Sequence, residues 1–315
     1  MILIVSYPSY DHVERVVEHL TRPWALFDTG SFPARASLAV SVKECCEGLL
    51  LTTEGGEVID LARVGAVWHR RISPLGLDGS LTDPTGRLFA WSESNEALLG
   101  LWYSLHCYWM NPPLADEVGQ RKVRQLQLAR SVGLAVPETL ITNDPARARE
   151  FVAAHAGGGV VRKAFRNIAE APRETSLVSE ADLRLIDTVR FAPVIFQRYV
   201  PADLDLRVTY VDGELFPAAI RSGPEYRTDY RLGVGRADVF PYELPDDVAA
   251  RLGRLMDELD LRFGGIDMRV TPEGEHVFLE VNPAGEYLFV TERTGQPVPQ
   301  AIAAALDRHD AAWSG

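Results

Sequence analysis

Short apolar runs alternate with amphipathic segments in the first third of the chain. Residues 2–6 form an apolar run that predicts a strand, and residues 10–20 have helix-type spacing. Further strands are predicted at 24–27, 38–42 and 66–70, and a hairpin at 49–53 and 57–61 around Glu54-Gly-Gly56. Alternating strands and helices are typical of an open α/β sheet, which we expect here.

The middle of the chain contains a predicted boundary. A helical pattern over 86–108 precedes Asn111-Pro-Pro113, where the prolines interrupt regular structure. Helix periodicity returns at 117–132 and stops at Gly133, and strands are predicted at 136–142 and 160–165. A second structural region is therefore expected to begin near residue 114.

Strands dominate from residue 194 onward. After a strand at 194–200, the dipeptide Asp212-Gly213 predicts a tight turn between strands at 206–211 and 214–219. A helix is predicted at 246–259, and a last hairpin at 266–282. The pattern therefore predicts an antiparallel sheet in this part of the chain.

Composition and charge exclude several classes of function. The chain has 315 residues and a net charge of −12, which argues against a nucleic-acid partner. No apolar run is long enough to span a bilayer, and the first residues lack the features of a signal peptide, so we expect a cytoplasmic protein without a membrane partner. Cys45, Cys46 and Cys107 show no metal-type spacing and are expected to be reduced thiols.

The last predicted hairpin contains candidate metal ligands. If Glu273-Gly274 are the central turn residues, Asp267 and Glu280 face each other about 5 Å apart. Asn282 follows two residues later on the same face, and these hard oxygen donors suit Mg²⁺. The alternative is a solvated edge hairpin with incidental charges, but apolar residues on both faces favour the metal site because buried unpaired carboxylates are costly.

Basic residues mark a candidate anion site. Lys163 lies inside an apolar strand, where a lysine is seldom merely solvated, whereas Lys122 lies on a helix, where it usually is. Arg207 and Arg221 flank the Asp212-Gly213 turn, and an arginine run interrupted by glycines continues to Arg236. In an acidic protein this run predicts a local anion-binding loop.

These residues resemble the ATP-grasp superfamily and, within it, the microviridin-type (graspetide) peptide maturases. The similarity covers most of the chain and lies in Trp68-His-Arg-Arg71, Asn111-Pro-Pro113, residues 122–144, Phe196-Gln-Arg-Tyr-Val200, Asp205-Leu-Arg207 and Glu280-Val-Asn-Pro-Ala-Gly-Glu-Tyr287. The resemblance implies an α/β ATP-grasp fold with an N-terminal open α/β pre-ATP-grasp domain at 1–112, a central subdomain at 113–192 and a C-terminal subdomain with the metal site at 193–315.

The resemblance also implies roles for individual residues. ATP-phosphate contacts are expected for Lys122 and Lys163, and further nucleotide contacts, mainly to adenine, for Gln197, Arg198, Tyr199, Val200 and Asp205. Mg²⁺ ligands are expected at Asp267, Glu280 and Asn282, acyl-phosphate contacts at Arg207 and Arg221, and a position near the substrate for Arg70 and Arg71. The segment 166–176 departs from the family by lacking glycines over the triphosphate, so Arg166 or Ser176 could substitute.

Three functions are compatible with this pattern. The favoured one is ATP-dependent formation of ω-ester or ω-amide crosslinks in an acidic ribosomal precursor peptide, through an acyl phosphate. A ligase that adds a free amino acid, similar to RimK, would use the same nucleotide chemistry. A non-catalytic ATP-binding or peptide-docking module is disfavoured because all the candidate ligands and both lysines are present. A homodimer is expected from the frequency of such assemblies.

Overall fold

The computed structural model describes residues 1–43, 46–165, 175–223, 226 and 228–314. The described residues form four β-sheets with helices packed beside them. The predicted α/β class is confirmed. Within these residues, no helix has the length and apolar character needed to cross a membrane.

The first sheet is parallel and contains the start of the chain. Its strands are β1 (Ile2–Val5), β2 (Trp24–Phe27), β6 (Ala66–His69) and β7 (Tyr108–Met110), in the order β2-β1-β6-β7. Helices α1 (Asp11–Val17), α2 (Pro84–Ser104) and α9 (Val298–Ala312) belong to the same region. The side chains of β1 enter two different apolar cores on opposite faces, which explains its uninterrupted apolar run.

A small antiparallel sheet follows in sequence between β2 and β6. It consists of β3 (Ser37–Lys43), β4 (Cys46–Thr52) and β5 (Val58–Asp60). The predicted hairpin around Glu54-Gly-Gly56 is confirmed, with Leu51 paired to Ile59 and Gly56 at a φ of +82°. Glycine adopts this left-handed conformation without strain.

Two predicted helices have different limits in the structure. The helix predicted at 86–108 ends at Ser104, and Tyr108–Met110 instead pairs in parallel with β6, because a strand there completes the sheet. The helix predicted at 117–132 divides into α3 (Pro113–Gly119) and α4 (Lys122–Ser131). The Gln125 side chain binds the Gly119 carbonyl at the break.

The central sheet is antiparallel, in the order β10-β9-β11-β8. Its strands are β8 (Thr139–Thr142), β9 (Val160–Lys163), β10 (Ser176–Leu177) and β11 (Val194–Arg198), and its helices are α5 (Pro145–Ala154) and α6 (Glu180–Arg184). A small core that includes Ala148, Val160 and Phe196 holds it together.

The last sheet is antiparallel, in the order β14-β13-β12-β15-β16. Its strands are β12 (Leu204–Val211), β13 (Glu214–Arg221), β14 (Asp238–Pro241), β15 (Phe263–Val270) and β16 (His276–Asn282), accompanied by α7 (Asp246–Glu258) and α8 (Leu288–Thr294). One face packs on the buried side of α7, and the opposite face carries the polar side chains of Asp205, Arg207, Asp267 and Arg269 in its middle. The turn predicted at Asp212-Gly213 is confirmed, with both residues at positive φ.

The turn between β15 and β16 differs from the predicted one. Thr271 pairs with Glu275 across three residues that end in Gly274 at a φ of +88°, so the predicted two-residue turn is wrong. This register pairs Met268 with Phe278. Leu279 is then an extra residue, and beyond this bulge Asp267 pairs with Glu280 as predicted.

The bulge also changes which side chains share a face. Phe278 and Val281 both enter the core, whereas Leu279 and Glu280 line a cleft on the other side. The side chains of this strand therefore do not alternate strictly between the two faces. The extra residue compensates for the longer turn, which is why the predicted carboxylate pair is nevertheless correct.

Candidate active site

A cleft lies between the end of β9, the start of α4 and the polar face of the last sheet. Its lining residues include Lys122, Lys163, Asp205, Tyr230, Arg231, Asp267, Arg269, Leu279 and Glu280. The chain has only three lysines, and two of them, Lys122 and Lys163, line this cleft. Most cationic side chains of the whole chain are arginines. The two ammonium groups are therefore a distinctive property of the cleft.

Asp267 is held by two neighbours on the floor of the cleft. Arg207 lies directly opposite it on β12 and donates from Nη1 to Oδ1 at 2.8 Å. The hydroxyl of Tyr230 donates to the same oxygen at 3.0 Å. The side chains of Arg207 and Asp267 are 7% and 8% exposed, so this ion pair is largely shielded from water.

Two glycines leave room for the Arg207 guanidinium. A Cβ at Gly265 would lie 2.6 Å from Arg207 Cζ, and one at Gly285 would lie 2.9 Å from its Nη2. Arg207 Nη2 donates to the carbonyl of Glu286 at 3.1 Å. The side chain is therefore confined between β15 and the loop that follows Asn282.

Glu280 is surrounded by positive charge. Lys122 Nζ lies 2.5 Å from its Oε2, and Arg231 Nη1 lies 3.7 Å from its Oε1. Burial alone would raise the pKa of Glu280, but Lys122, Lys163 and Arg231 outweigh burial and hold the pKa well below its usual range. The carboxylate is thus ionised at neutral pH.

Two other titratable groups in the cleft have shifted pKa values. Burial lowers the pKa of Lys163 to about 8, and the nearby Glu280 partly opposes this effect. Burial raises the pKa of Asp205 to about 6, although Arg269 Nε donates to its carboxylate at 2.9 Å. Ionisable groups with shifted pKa values in a cleft are frequent at functional sites.

The proposed metal ligands form a compatible donor set. Asp267 and Glu280 lie opposite each other, and Asn282 lines an adjoining cavity with Glu280. Asn282 Oδ1 accepts a bond from the Ala284 N–H at 3.0 Å. The described residues contain no group of three or more acidic, histidine or cysteine side chains suited to a metal. Two carboxylates and an amide oxygen suit Mg²⁺, which completes its shell with water and phosphate.

The predicted adenine-binding segment lies beside the cleft. Gln197 is buried and donates to the Thr139 hydroxyl at 2.9 Å. The N–H groups of Arg198 and Tyr199 bind the carbonyls of Glu138 and Gly159, and the Val200 carbonyl accepts from Arg269 at 2.8 Å. These backbone groups have partners within the chain, so the role of this segment stays a prediction.

Arg221 ends β13 outside the lining of this cleft and shares a small cavity with Asp205, which lines both. It pairs with Asp238 across β13 and β14, with 3.6 Å between charged atoms, and its guanidinium lies over the ring of Phe240. Its neighbour Ile220 is the residue opposite Asp205, so Arg221 starts from the other face of the sheet. The acyl-phosphate contact expected for Arg221 stays a prediction.

Arg70 and Arg71 bind the loop that follows Asn282. Arg70 is only 3% exposed, packs on the rings of Tyr10, Phe263 and Tyr287, and donates to the Gly285 carbonyl at 2.9 Å. Arg71 is exposed and donates to Glu286 at 2.7 Å. Any influence of Arg70 on a substrate would therefore be indirect.

Several residues of the cleft were missed by sequence reasoning. Tyr230 and Asp229 lie within the arginine-rich loop, and Arg231 binds Asp229 through two bonds of 2.7 and 2.6 Å. Arg269 lies inside an apolar strand, the same signal that singled out Lys163. The proposed substitute Arg166 lies outside the described residues, whereas Ser176 is described in β10.

Comparisons with known proteins show the family of this chain. The MvdD pre-ATP grasp domain model matches residues 1–117. The macrocyclase MdnC of Microcystis aeruginosa MRC, solved with the precursor peptide MdnA, is 30% identical, with a TM-score of 0.87 over 98% of this chain and 99% of that one. The macrocyclase MdnB of the same organism is 33% identical, with a TM-score of 0.81 over 97% and 98%. The chain belongs to the graspetide-type ATP-grasp ligases.

A third structure similar to this ligase was solved with a bound nucleotide. The ATP-grasp ligase of Chryseobacterium gregarium, solved with ADP and a leader and core peptide, is 26% identical, with a TM-score of 0.89 over 97% of this ligase and 96% of that chain. A search of curated proteins returned no match. The predicted ATP-grasp fold with its pre-ATP-grasp domain is confirmed for this ligase by these similarities.

Proposed function

We propose that this ligase uses ATP to activate carboxyl side chains of a ribosomal precursor peptide and joins them to nucleophiles within the same peptide. The products are ω-ester or ω-amide crosslinks. The relatives solved with precursor peptides, and with ADP in one case, support a peptide substrate and ATP as the phosphoryl donor.

The opposed carboxylates of Asp267 and Glu280 carry this proposal. They lie in a cleft that also contains Lys122 and Lys163. Asp267, Glu280 and Asn282 would hold Mg²⁺, which neutralises phosphate charge when it is bound. The two lysines add positive charge on the same cleft, and Arg207 fixes the orientation of Asp267.

The reaction would proceed in two steps. A carboxylate oxygen of the peptide attacks the γ-phosphorus of ATP, and ADP leaves. A hydroxyl or amine of the peptide then attacks the acyl carbon, loses its proton, and phosphate leaves. Of the two arginines proposed for the acyl phosphate, Arg207 is supported by its bond to Asp267, which lines the cleft, and by its buried Nε, which has no bond among the described residues.

The proposed peptide is acidic in its reacting part. The protein has a net charge of −12, whereas the cleft is lined by four cationic side chains and four carboxylates: Lys122, Lys163, Arg231 and Arg269, and Asp205, Asp229, Asp267 and Glu280. With Mg²⁺ held by Asp267 and Glu280, this lining would be positive and would favour carboxylates and phosphates, which the remaining surface repels. The same cleft would therefore bind the triphosphate and the carboxylate that attacks it.

Mass spectrometry of a co-expressed precursor tests the proposed function. Each crosslink removes one water from the peptide, so modified products are expected with the wild-type ligase and ATP. Absence of water loss with a precursor encoded beside the ligase gene, together with ATP-dependent addition of a free amino acid, would instead support the RimK-like alternative.

Two further features are part of the proposal. We propose a homodimer, which sedimentation at several protein concentrations would test. We also propose the division into 1–112, 113–192 and 193–315, for which limited proteolysis is the corresponding measurement.

A further inference from the structure

A buried amide side chain contacts the strand that carries Glu280. Gln125 lies on α4 and is completely buried. Its Nε2 donates to the Val281 carbonyl at 2.7 Å, and its Oε1 accepts from the Val281 N–H at 3.0 Å. These two bonds reproduce the pairing that a residue of a neighbouring strand would make.

The contact lies at the outer edge of the sheet. β16 is the last strand in the order, and within the described part of the chain its outer side has only an isolated bridge between Ala135 and Val277. The Phe278 N–H binds the Ala135 carbonyl at 2.8 Å, and Gln125 binds Val281. These two contacts lie on either side of the bulge residue Leu279.

The bulge makes this anchoring important. In the register set by the turn, Leu279 would lie opposite Asp267, and only the extra residue brings Glu280 there. A change of register by one residue moves side chains to the other face of the sheet. The bonds to Val281 fix the residue between Glu280 and Asn282 and therefore oppose such a change.

Helix α4 thus binds both the Glu280 side chain and the Val281 backbone of β16. Lys122 lies one helical turn before Gln125 and binds the Glu280 carboxylate. Gln125 Nε2 also donates to the Gly119 carbonyl at 2.5 Å, which ties α3 to the same point. The amide has three bonds and no solvent contact, so its orientation is fixed.

We propose that Gln125 is a positioning residue that sets Glu280 and Asn282 in place for a divalent cation bound together with a nucleoside phosphate. The inference rests on the proposed function, because it assigns Glu280 and Asn282 to that cation. Gln125 itself does not touch the nucleotide in this assignment; it acts through the backbone of Val281.

Calorimetric titration of the full-length protein with ADP, with and without MgCl₂, tests the proposal without a peptide. Gln125→Met keeps the size of the side chain and removes all three bonds. We expect the Mg²⁺-dependent gain in ADP affinity to be about tenfold smaller in this variant than in the wild type. ADP affinity without Mg²⁺ should stay at the wild-type value, a combination that general destabilisation would not produce. The matched control is Gln127→Met, at an exposed position of the same helix.

The outcomes separate this inference from the proposed function. A wild-type gain retained in Gln125→Met would overturn the positioning role while leaving the proposed function intact. No Mg²⁺-dependent gain in the wild type would overturn the proposed function and this inference together. If Gln125→Met does not fold, Gln125→Asn decides, because its amide is one methylene shorter and cannot reach both the N–H and the carbonyl of Val281; it is expected to lose the gain, and full retention would overturn the role.

Discussion

Asp267 and Glu280 face each other on adjacent strands, and each carboxylate is bound by a cation from another part of the chain. Arg207 on β12 binds Asp267, and Lys122 on α4 binds Glu280. The repulsion expected between two opposed carboxylates is offset by these partners. These partners hold the two carboxylates opposite each other for the role proposed for them.

Replacement of Glu280 tests the metal assignment. Glu280→Gln keeps the shape and removes the negative charge, and we expect ATP turnover to fall about 100-fold or more, because a ligand charge is lost. ADP release is the measurement, with circular dichroism to verify the fold. Glu275→Gln in the exposed turn of the same hairpin is the control. Wild-type turnover in the Glu280 variant would exclude a ligand role.

Lys163 should make nucleotide binding depend on pH. The ammonium group is cationic below its pKa of about 8, so wild-type affinity for ATP should weaken as the pH rises from 7 to 9. Lys163→Met should bind ATP about tenfold more weakly at pH 7 and lack this step. Calorimetry at several pH values measures both effects. An unchanged pH profile in the variant would show that another group titrates.

A methyl group at Gly265 should disturb the Arg207 side chain. The added Cβ would lie 2.6 Å from Arg207 Cζ, so Gly265→Ala should lower the free energy of unfolding by about 1–3 kcal/mol. Gly253→Ala in α7 is the control, since its Cβ would meet nothing within 4 Å and should stabilise the helix slightly. Urea unfolding of both variants gives the comparison. Equal free energies of unfolding for Gly265→Ala and the wild type would show that the Arg207 side chain can move without loss of stability.

Matched substitutions distinguish the two candidate arginines. Arg207→Lys keeps the charge but cannot bind Asp267 and the Glu286 carbonyl in the same way, and we expect crosslinking to fall about tenfold or more. Arg221→Lys should have little effect, because Arg221 contacts Asp238 and Phe240 instead. Mass spectrometry of the modified precursor measures both. A larger loss in the Arg221 variant would support its proposed catalytic role.

Local patterns predicted most of the strands and one important pairing, whereas β7, β10 and β14 were not predicted and depend on tertiary contacts. The run from Ile2 to Val5 was sufficient to predict β1, and Asp212-Gly213 to predict its turn. The burial of Arg70 depends on three aromatic rings that are distant in sequence, so no local signal reveals it. The bulge at Leu279 has no residue signature of its own, and two offsetting errors left the Asp267–Glu280 prediction correct.

The loop after Asn282 is joined to the N-terminal sheet by many contacts. Arg70 binds the Gly285 carbonyl, while His12, Tyr10 and Arg71 bind the Glu286 carboxylate. Exchange of segments between related ligases at the boundary near residue 112 is therefore expected to break these contacts. A chimera that takes its first part from one parent must inherit a compatible loop, or the partners of Glu286 are lost. Substrate preference is thus expected to be transferred most readily when these two distant segments are exchanged together.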